Sequence, residues 1–289
     1  MSSANLRHDL IMLCKHNRDG SHATQADRRN ILLLAARQLK AGGYRHMRAS
    51  SLQAKHVGYL VNSWKSGKLS TGTIKNRVAA LRWWSEKIGK AGVVPADNAA
   101  LGIAQRQYVG QGSKAKMLDA DKLSAVTDPY VRLSLQMQAA FGLRREESIK
   151  VRPEIADRGS ALYLQGSWCK GGRERLVPIR TAEQRAVLDA VHRLVGAGAL
   201  IPPDKNYVQQ QRVYDGQTQA AGLHKNHGLR HMYAQSRYEE LTGWKCPIAG
   251  GPARDSLAGK SHKTDKAARL TISKELGHGR IGIVSVYCG

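Results

Sequence analysis

The sequence predicts a mainly α-helical fold with one small antiparallel β-sheet, an α+β arrangement in two domains. Apolar residues recur at helical spacing along most of the chain, and only residues 161–179, ALYLQGSWCKGGRERLVPI, hold two β-like runs. The 289 residues suffice for two domains, each with its own core. We expect a helical domain over residues 1–105, a linker over 106–117 and a second domain over 118–289.

Two helices stand out in the first domain. The residues from Thr24 to Asp27 have the form of a capping box, and NILLLAARQLKAGG follows with helical spacing and closing glycines. A second helix is predicted to begin near Ser70, with Trp83 and Trp84 in the core. Its apolar stripe comprises Ile74, Val78, Leu81 and Ile88.

The linker and the first helix of the second domain have clear local signals. AQRQYVGQGSKAKML, residues 104–118, is polar, basic and contains glycine, which is typical of a linker. After it, Asp128 is a predicted N-cap and Pro129 occupies the first helical position. This helix is expected to run to Phe141 and to stop at Gly142.

The remainder of the second domain is predicted to combine a hairpin with helices. The two β-like runs flank Lys170, Gly171 and Gly172, which therefore form the tip of a hairpin. Further helices are predicted in TAEQRAVLDAVHRLVG and GLRHMYAQSRYEELTG. Residues 243–265 have no clear period and predict a long surface loop.

The composition points to a polyanionic partner. Lys and Arg number 46 against 22 Asp and Glu, giving a net charge of +24 spread along the chain. Nucleic acid is the favoured partner, ahead of a membrane surface. The start, MSSANLRHDL, lacks the apolar core of a signal peptide, and no apolar run suits a bilayer. Four widely spaced cysteines fit free thiols, so we expect a cytoplasmic protein.

Candidate chemical residues occur in five places, and each alone has a simpler structural interpretation. Arg144 with Glu147 fits a solvated charged turn, and Lys170 fits a basic loop that touches phosphates without chemistry. His227 and Arg230 are three residues apart, neighbours on one helix face that could serve structure alone.

The two remaining places lie near the carboxyl end. His278 follows Gly277 and fits a hydrogen-bonded turn, while Tyr287, nine residues later, fits a buried core tyrosine. His227 with His224 and His231 could suggest a metal site, but no carboxylate or cysteine completes the set and Arg230 would repel the cation.

Together these residues fit the chemistry of a phosphodiester. Guanidinium forks bind non-bridging oxygens and stabilise the charge that develops on phosphorus. A tyrosine hydroxyl, with a free pKa of ~10, can attack phosphorus covalently if a base and positive surroundings assist it. A histidine can be that base, and a lysine or histidine can protonate the leaving oxygen. Because guanidinium and ammonium groups supply the positive charge, no metal is required.

The order of these residues resembles the tyrosine recombinase (phage integrase) family. GLRREE is similar to the family's first arginine box, and KGGRERLVPI to its β-hairpin lysine segment. HGLRH resembles its His-x-x-Arg box, and LGH followed by a tyrosine nine residues after the histidine matches its terminal box. The first domain resembles, more loosely, the family's SAM-like core-binding domain. The resemblance implies that the catalytic residues are Arg144, Lys170, His227, Arg230, His278 and Tyr287, with Glu147 at the accompanying acidic position.

The resemblance also implies a function. The chain would be a site-specific recombinase or integrase of a mobile genetic element that clamps double-stranded DNA between its two domains and forms a 3′-phosphotyrosyl bond at Tyr287. The arginines and His278 would hold the scissile phosphate, Lys170 would be the general acid, and His227 would assist proton transfer. We expect a homotetramer on two DNA sites, with accessory DNA-bending or directionality factors as further partners.

The sequence departs from the family pattern in two places, and two alternative functions stay open. The stretch from Arg230 to His278 is longer than expected for the family, around KCPIAGGPARDSLAGKSHKTDK. The helix that often follows the tyrosine is absent from this sequence, so we expect protomers to assemble through other surfaces. A type IB topoisomerase has similar chemistry on a single duplex, and a non-catalytic DNA-binding factor could use the same scaffold.

Overall fold

The computed structural model describes residues 5–106, 109–110 and 112–289, which form two compact units. The first unit comprises residues 1–107 and the second comprises residues 108–289. Residues 107, 108 and 111 of the predicted linker lie outside the described residues, so the linker and the exact domain bounds stay predictions. None of the described helices has both the length and the apolar character needed to cross a bilayer.

Four α-helices build the described part of the first unit. They are α1 (Leu6–His16), α2 (His22–Ala41), α3 (Ala54–Ser66) and α4 (Thr71–Lys87). Their core is apolar and fully buried, and its larger members include Leu10, Leu32, Leu39, Leu60, Trp64, Leu81 and Trp84. The prediction that Trp83 and Trp84 are core residues is confirmed, since both are buried. Each indole N–H still finds an acceptor, Asp19 for Trp83 and the Ala49 carbonyl for Trp84.

The capping box predicted at Thr24 is wrong. The N-cap of helix α2 is Ser21, three residues before Thr24, and its hydroxyl accepts a hydrogen bond from the Thr24 backbone N–H. Ser21 and Thr24 are both good capping residues, and the polar first turn offers no apolar period to choose between them. The start of α4 at its N-cap Ser70 agrees with the prediction.

Short and long helices surround one small sheet in the second unit. The helices are α5 (Ala120–Ser124), α6 (Pro129–Phe141), α7 (Arg145–Lys150), α8 (Pro153–Ala156), α9 (Ala182–Val195), α10 (Tyr207–Ala220), α11 (His227–Thr242), α12 (Gly259–Glu275) and α13 (Ser285–Cys288). The bounds predicted for α6 are confirmed. The Asp128 carboxylate accepts from the Val131 N–H at 2.9 Å, and Gly142 ends the helix with φ of 61°.

The sheet consists of strands β1 (Ala161–Leu164) and β2 (Arg175–Pro178). They pair antiparallel, with Ala161 opposite Pro178 and Leu164 opposite Arg175, so the predicted hairpin is confirmed. Residues 165–174 connect the strands and contain two 3₁₀ turns, the second of which holds Lys170. The inward side chains of the sheet join a core with residues of α6, α9, α11 and α12.

The loop predicted over residues 243–265 is only partly correct. Two 3₁₀ turns, Pro247–Ala249 and Arg254–Ser256, lie within it, but α12 already begins at Gly259. The first half of α12 is polar, so its sequence has no apolar period to reveal the helix. Its buried face carries Asp265 and Arg269 as well as apolar residues.

Candidate active site

Four structural elements of the second unit bring five of the six predicted site residues together. Arg144 is the N-cap of α7, and His227 and Arg230 lie in the first turn of α11. His278 follows α12 by three residues, and Tyr287 lies on the one-turn helix α13. These residues are far apart in sequence, and the packing of α11 against α6, α12 and α13 assembles them.

The hydroxyl of Tyr287 lies between a guanidinium and an imidazole. Nε of Arg230 donates to it over 3.3 Å, and Nε2 of His278 lies 3.2 Å away. Nη2 of Arg230 also lies 3.4 Å from the same His278 nitrogen. Since arginine can only donate, this contact favours the tautomer in which Nε2 carries a lone pair. The phenol then donates to His278 and accepts from Arg230, an arrangement that stabilises a developing phenolate.

Hydrogen bonds to the protein backbone hold the Arg230 guanidinium in place. Its side chain is 0% exposed, and its guanidinium donates to the carbonyls of Gly142, at 2.6 Å, and of Leu276. Burial and the nearby Arg144 lower the pKa of Arg230 to about 10, which leaves it protonated at neutral pH. The guanidinium therefore ties the end of α6 to the segment before His278, and it presents a fixed positive charge beneath the Tyr287 ring.

Glu147 is the buried anion of the site. Its carboxylate accepts from Arg144 Nη1 at 2.6 Å and from Arg175 Nη2 at 2.7 Å, and it lies 3.9 Å from Arg230 Nη1. Burial raises the pKa of Glu147, but the hydrogen bonds and charges of Arg175, Arg230 and Arg144 outweigh it and hold the pKa at about 2. One carboxylate thus sets the positions of three guanidinium groups.

Arg175 is a site residue that the sequence analysis missed. It lies on β2, faces inward and donates to Glu147, to the Glu275 carbonyl at 2.8 Å and to the Cys169 sulfur at 3.2 Å. The sequence contained one weak signal, because this arginine lies in the hairpin segment that holds Lys170. Its contact with Glu275, three residues before His278, connects the hairpin with the histidine loop.

Two predicted site residues, Arg144 and Lys170, are open to solvent to different degrees. The Arg144 side chain is 23% exposed, so it can meet a ligand while bonded to Glu147. Lys170 is exposed in the 165–174 connection and, within the described part of the chain, makes no hydrogen bond or ion pair. The structure therefore does not bring Lys170 into contact with the other five residues.

The histidines differ in their distance from the phenol. His227 is exposed, and its ring centre lies 6.2 Å from that of Tyr287, against 5.6 Å for His278. His231, which the sequence analysis left without a role, is buried with its ring centre 4.7 Å from the tyrosine ring. Burial, with the charges of Arg230 and Arg144, lowers the pKa of His278 to about 4. Burial, with His227 and Lys114, does the same for His231.

These shifts predict a loss of stability in mild acid. In the unfolded chain, His231 and His278 become protonated below about pH 6.5. In the folded chain their lowered pKa values keep both rings neutral down to about pH 4. The stabilisation is therefore present above the unfolded pKa and is lost as the pH falls through this window. We expect the free energy of unfolding to fall by about 2 kcal/mol, a figure reduced because both rings are only partly desolvated.

Urea unfolding at about pH 7 and about pH 5 measures this change. The double variant His231→Asn, His278→Asn is the control, since it keeps every carboxylate and all the other histidines. An equal change in the variant and in the wild type would contradict the assignment to these two rings.

Two family models match the sequence one after the other. The model described as "Phage integrase, N-terminal" matches residues 2–94, and the model described as "Integrase" matches residues 104–236. Together they cover most of the chain, first the helical unit and then much of the unit that carries the site. The chain belongs to the tyrosine recombinase (phage integrase) family.

Several solved structures share the fold of this chain. A lambda integrase dimer bound to a COC′ core site is 15% identical, with 98% of this chain and 77% of the other covered and a TM-score of 0.63. XerH site-specific recombinase bound to difH substrate is also 15% identical, covering 98% and 81%, with a TM-score of 0.56. The Tn1549 transposon integrase in complex with circular intermediate DNA is 13% identical, covering 98% and 94%, with a TM-score of 0.56.

No curated protein sequence matches the recombinase. The integrase model ends at residue 236, so His278 and Tyr287 lie beyond the residues it matches.

Proposed function

We propose that this recombinase cuts and rejoins DNA strands at specific sites, as the integrase of a mobile genetic element, through a 3′-phosphotyrosyl intermediate. The observation that supports this most strongly is the position of the Tyr287 hydroxyl, 3.3 Å from Arg230 Nε and 3.2 Å from His278 Nε2. A buried structural tyrosine needs one hydrogen-bond partner. A hydroxyl held between a cation and an uncharged imidazole has the surroundings of an activated nucleophile.

In the proposed step, Tyr287 Oη attacks the scissile phosphorus in line. The Oη–P bond forms and the P–O5′ bond breaks. Neutral His278 accepts the phenolic proton, for which its pKa of about 4 leaves it in the correct state at neutral pH. Lys170 protonates the departing O5′ from the exposed connection of the hairpin, and exposed His227 assists proton transfer. A 5′-hydroxyl of another strand later attacks the phosphotyrosine and reverses the step.

Arg144 and Arg230 stabilise the charge on the non-bridging oxygens in this proposal. Arg144 is open to DNA, whereas Arg230 Nε is occupied by the Tyr287 hydroxyl. An incoming phosphate must therefore share this N–H with the phenol, which draws the nucleophile and the phosphate to the same guanidinium. Glu147 keeps both arginines in place and stays ionised.

Double-stranded DNA is the proposed partner. The net charge of +24 supports a polyanionic ligand, and the similar lambda integrase, XerH and Tn1549 proteins were solved on DNA. A lambda integrase tetramer bound to a Holliday junction, with a TM-score of 0.62, supports a homotetramer on two DNA sites. We place this activity on DNA in the cytoplasm.

A nicked duplex that contains the recombinase's own site tests this function. After the tyrosine attacks close to the nick, the short fragment between the cleavage point and the nick, which carries the released 5′-hydroxyl, diffuses away. Without that hydroxyl the step cannot reverse, so the adduct is trapped. We expect a covalent adduct that survives denaturant and forms only on duplexes that contain the site. An adduct on any duplex regardless of sequence would favour a type IB topoisomerase. Tight binding to the site without an adduct would favour a DNA-binding factor.

A further inference from the structure

The segment that carries Tyr287 cannot hold its own position. Helix α13 (Ser285–Cys288) is a single turn that directly follows the 3₁₀ turn Ile281–Val284, and the Gly289 N–H donates to the Ser285 carbonyl at 3.0 Å. Helical segments this short are unstable on their own in water, because nucleation costs more than their few hydrogen bonds return. The position of the Tyr287 hydroxyl must therefore depend on contacts with neighbouring elements.

Besides the contacts of the Tyr287 hydroxyl with Arg230 and His278, three neighbours contact the backbone of this segment. The Gln235 side chain on α11 donates to the Tyr287 carbonyl at 2.9 Å. The backbone of Gly289 lies against the 3₁₀ turn Pro247–Ala249, so closely that a Cβ there would sit 2.9 Å from the Ile248 nitrogen. The third neighbour is Arg269 on α12, whose Nη1 donates to the Gly289 carbonyl at 2.7 Å and lies 3.5 Å from the Ser285 hydroxyl.

Arg269 belongs to a fully buried ion pair, which is an unusual way to make a contact that serves structure alone. Its side chain and that of its partner Asp265 are both 0% exposed, with Nε 2.8 Å from the carboxylate. Burying an ion pair is costly, and an apolar pair of similar volume would often stabilise a core equally well. The second oxygen of Asp265 and Nη2 of Arg269 also lack hydrogen-bond partners among the described residues. What the pair supplies is a cation in a fixed place, directed at the end of the tyrosine segment.

We propose that Arg269 is a positioning residue for Tyr287: it grips Ser285 and Gly289, on either side of the nucleophile, and so keeps the hydroxyl against Arg230 and His278. The inference rests on the proposed function. Asp265 orients the guanidinium, and the Tyr238 hydroxyl supports Asp265 from α11 at 2.6 Å. Because α12 also leads into the loop of His278, one helix sets the position of both the base and the nucleophile.

The variant Arg269→Met tests this role with two readouts on the full chain. Hydrogen exchange without DNA is expected to speed up about tenfold or more at residues 285–289, while the centre of α11 keeps its protection. With the nicked site duplex at saturation, adduct formation is expected to slow about 10–100-fold with little change in DNA affinity, since a displaced nucleophile impairs attack rather than binding.

Two further variants keep the test decisive. Arg269→Lys keeps a positive charge beside Asp265, so this variant should unfold at nearly the wild-type temperature. Its single ammonium group cannot bond to Asp265 and also reach Ser285 and Gly289, so residues 285–289 should still lose their protection. Arg254→Met is the matched control, because Arg254 is half exposed and pairs with the same Asp265 at 3.6 Å without touching the segment. It should change neither readout.

The outcomes separate the inference from the proposed function. Wild-type exchange at 285–289 in both Arg269 variants, or exchange that rises equally throughout the second unit, would overturn the positioning role. Wild-type cleavage rates in both variants would also overturn it. If the wild-type protein forms no adduct, the proposed function fails, and the exchange measurement alone decides whether Arg269 anchors the segment.

Discussion

Replacing Tyr287 with phenylalanine is expected to abolish the covalent adduct and to leave DNA affinity within about threefold of the wild type. Phenylalanine keeps the ring that covers Arg230 and packs beside His231. It removes only the oxygen that attacks phosphorus, so the rate of adduct formation should fall by about 10⁴-fold or more. Denaturing gels of the nicked-duplex reaction measure the adduct, and titration of labelled site DNA measures the affinity.

Tyr233→Phe provides the matched control for this experiment. Tyr233 is buried in the same core, and its hydroxyl donates to Glu275 at 2.8 Å without contacting Tyr287. Losing that bond should cost about 1 kcal/mol of stability and leave the adduct rate within a few-fold of the wild type. If Tyr287→Phe kept an adduct at more than a few per cent of the normal rate, another residue would be the nucleophile.

The second large effect is expected from Arg230→Ala, which should lose both cleavage and stability. The substitution leaves the buried carbonyls of Gly142 and Leu276 without donors and removes a cation beside Glu147. The unsatisfied buried carbonyls and the loss of one of the three cations around Glu147, which keeps Arg144 and Arg175, together should lower the free energy of unfolding by about 3–5 kcal/mol. The adduct rate should fall by about 10³-fold, as for the loss of one donor to a developing oxyanion.

Arg144→Ala separates these two consequences. Arg144 is partly exposed, and Glu147 keeps Arg175 and Arg230 when it is lost. Cleavage should therefore fall as steeply as in Arg230→Ala, while the free energy of unfolding changes by about 1 kcal/mol. Urea unfolding and adduct kinetics on both variants provide the comparison. Equal destabilisation by the two substitutions would show that the buried position of Arg230 is not what stabilises this part of the fold.

The parts of the fold with explicit local signals could be predicted. The Asp128 cap, Pro129 and Gly142 define α6, and the two β-like runs define the hairpin. Helix α12 could not be found in the same way, because its first turns are polar. Its buried Asp265 and Arg269 stabilise each other only after the chain has folded, and such a tertiary contact leaves no periodic pattern.

The strand β2 illustrates a second limit. The hydrophobic rule places Leu176 inside and Arg175 outside, yet Arg175 is buried and Leu176 is 56% exposed. The register that fits Val177 into the core also turns Arg175 towards Glu147, and this anion reverses the usual preference. An inward-facing arginine can be recognised only once its partner on another element is known.

In the candidate site, too, the residues could be predicted from the sequence but their tertiary contacts could not. The order and spacing of Arg144, His227, Arg230, His278 and Tyr287 could be recognised in the sequence, and the structure brings these five together. What the sequence could not supply is their relative geometry, which favours His278 rather than exposed His227 as the base. The catalytic roles of all six residues, including Lys170, stay predictions that the variants above test.

In the proposed reaction the Tyr287 phenolic oxygen bonds to the DNA phosphorus, and the chemical identity of the linkage is the decisive measurement. The covalent complex is digested with protease and nuclease, and mass spectrometry identifies the modified residue and the attached nucleotide. We expect a phosphodiester between Tyr287 Oη and a 3′ oxygen. A nucleotide attached to any other residue, or joined through its 5′ oxygen, would contradict it.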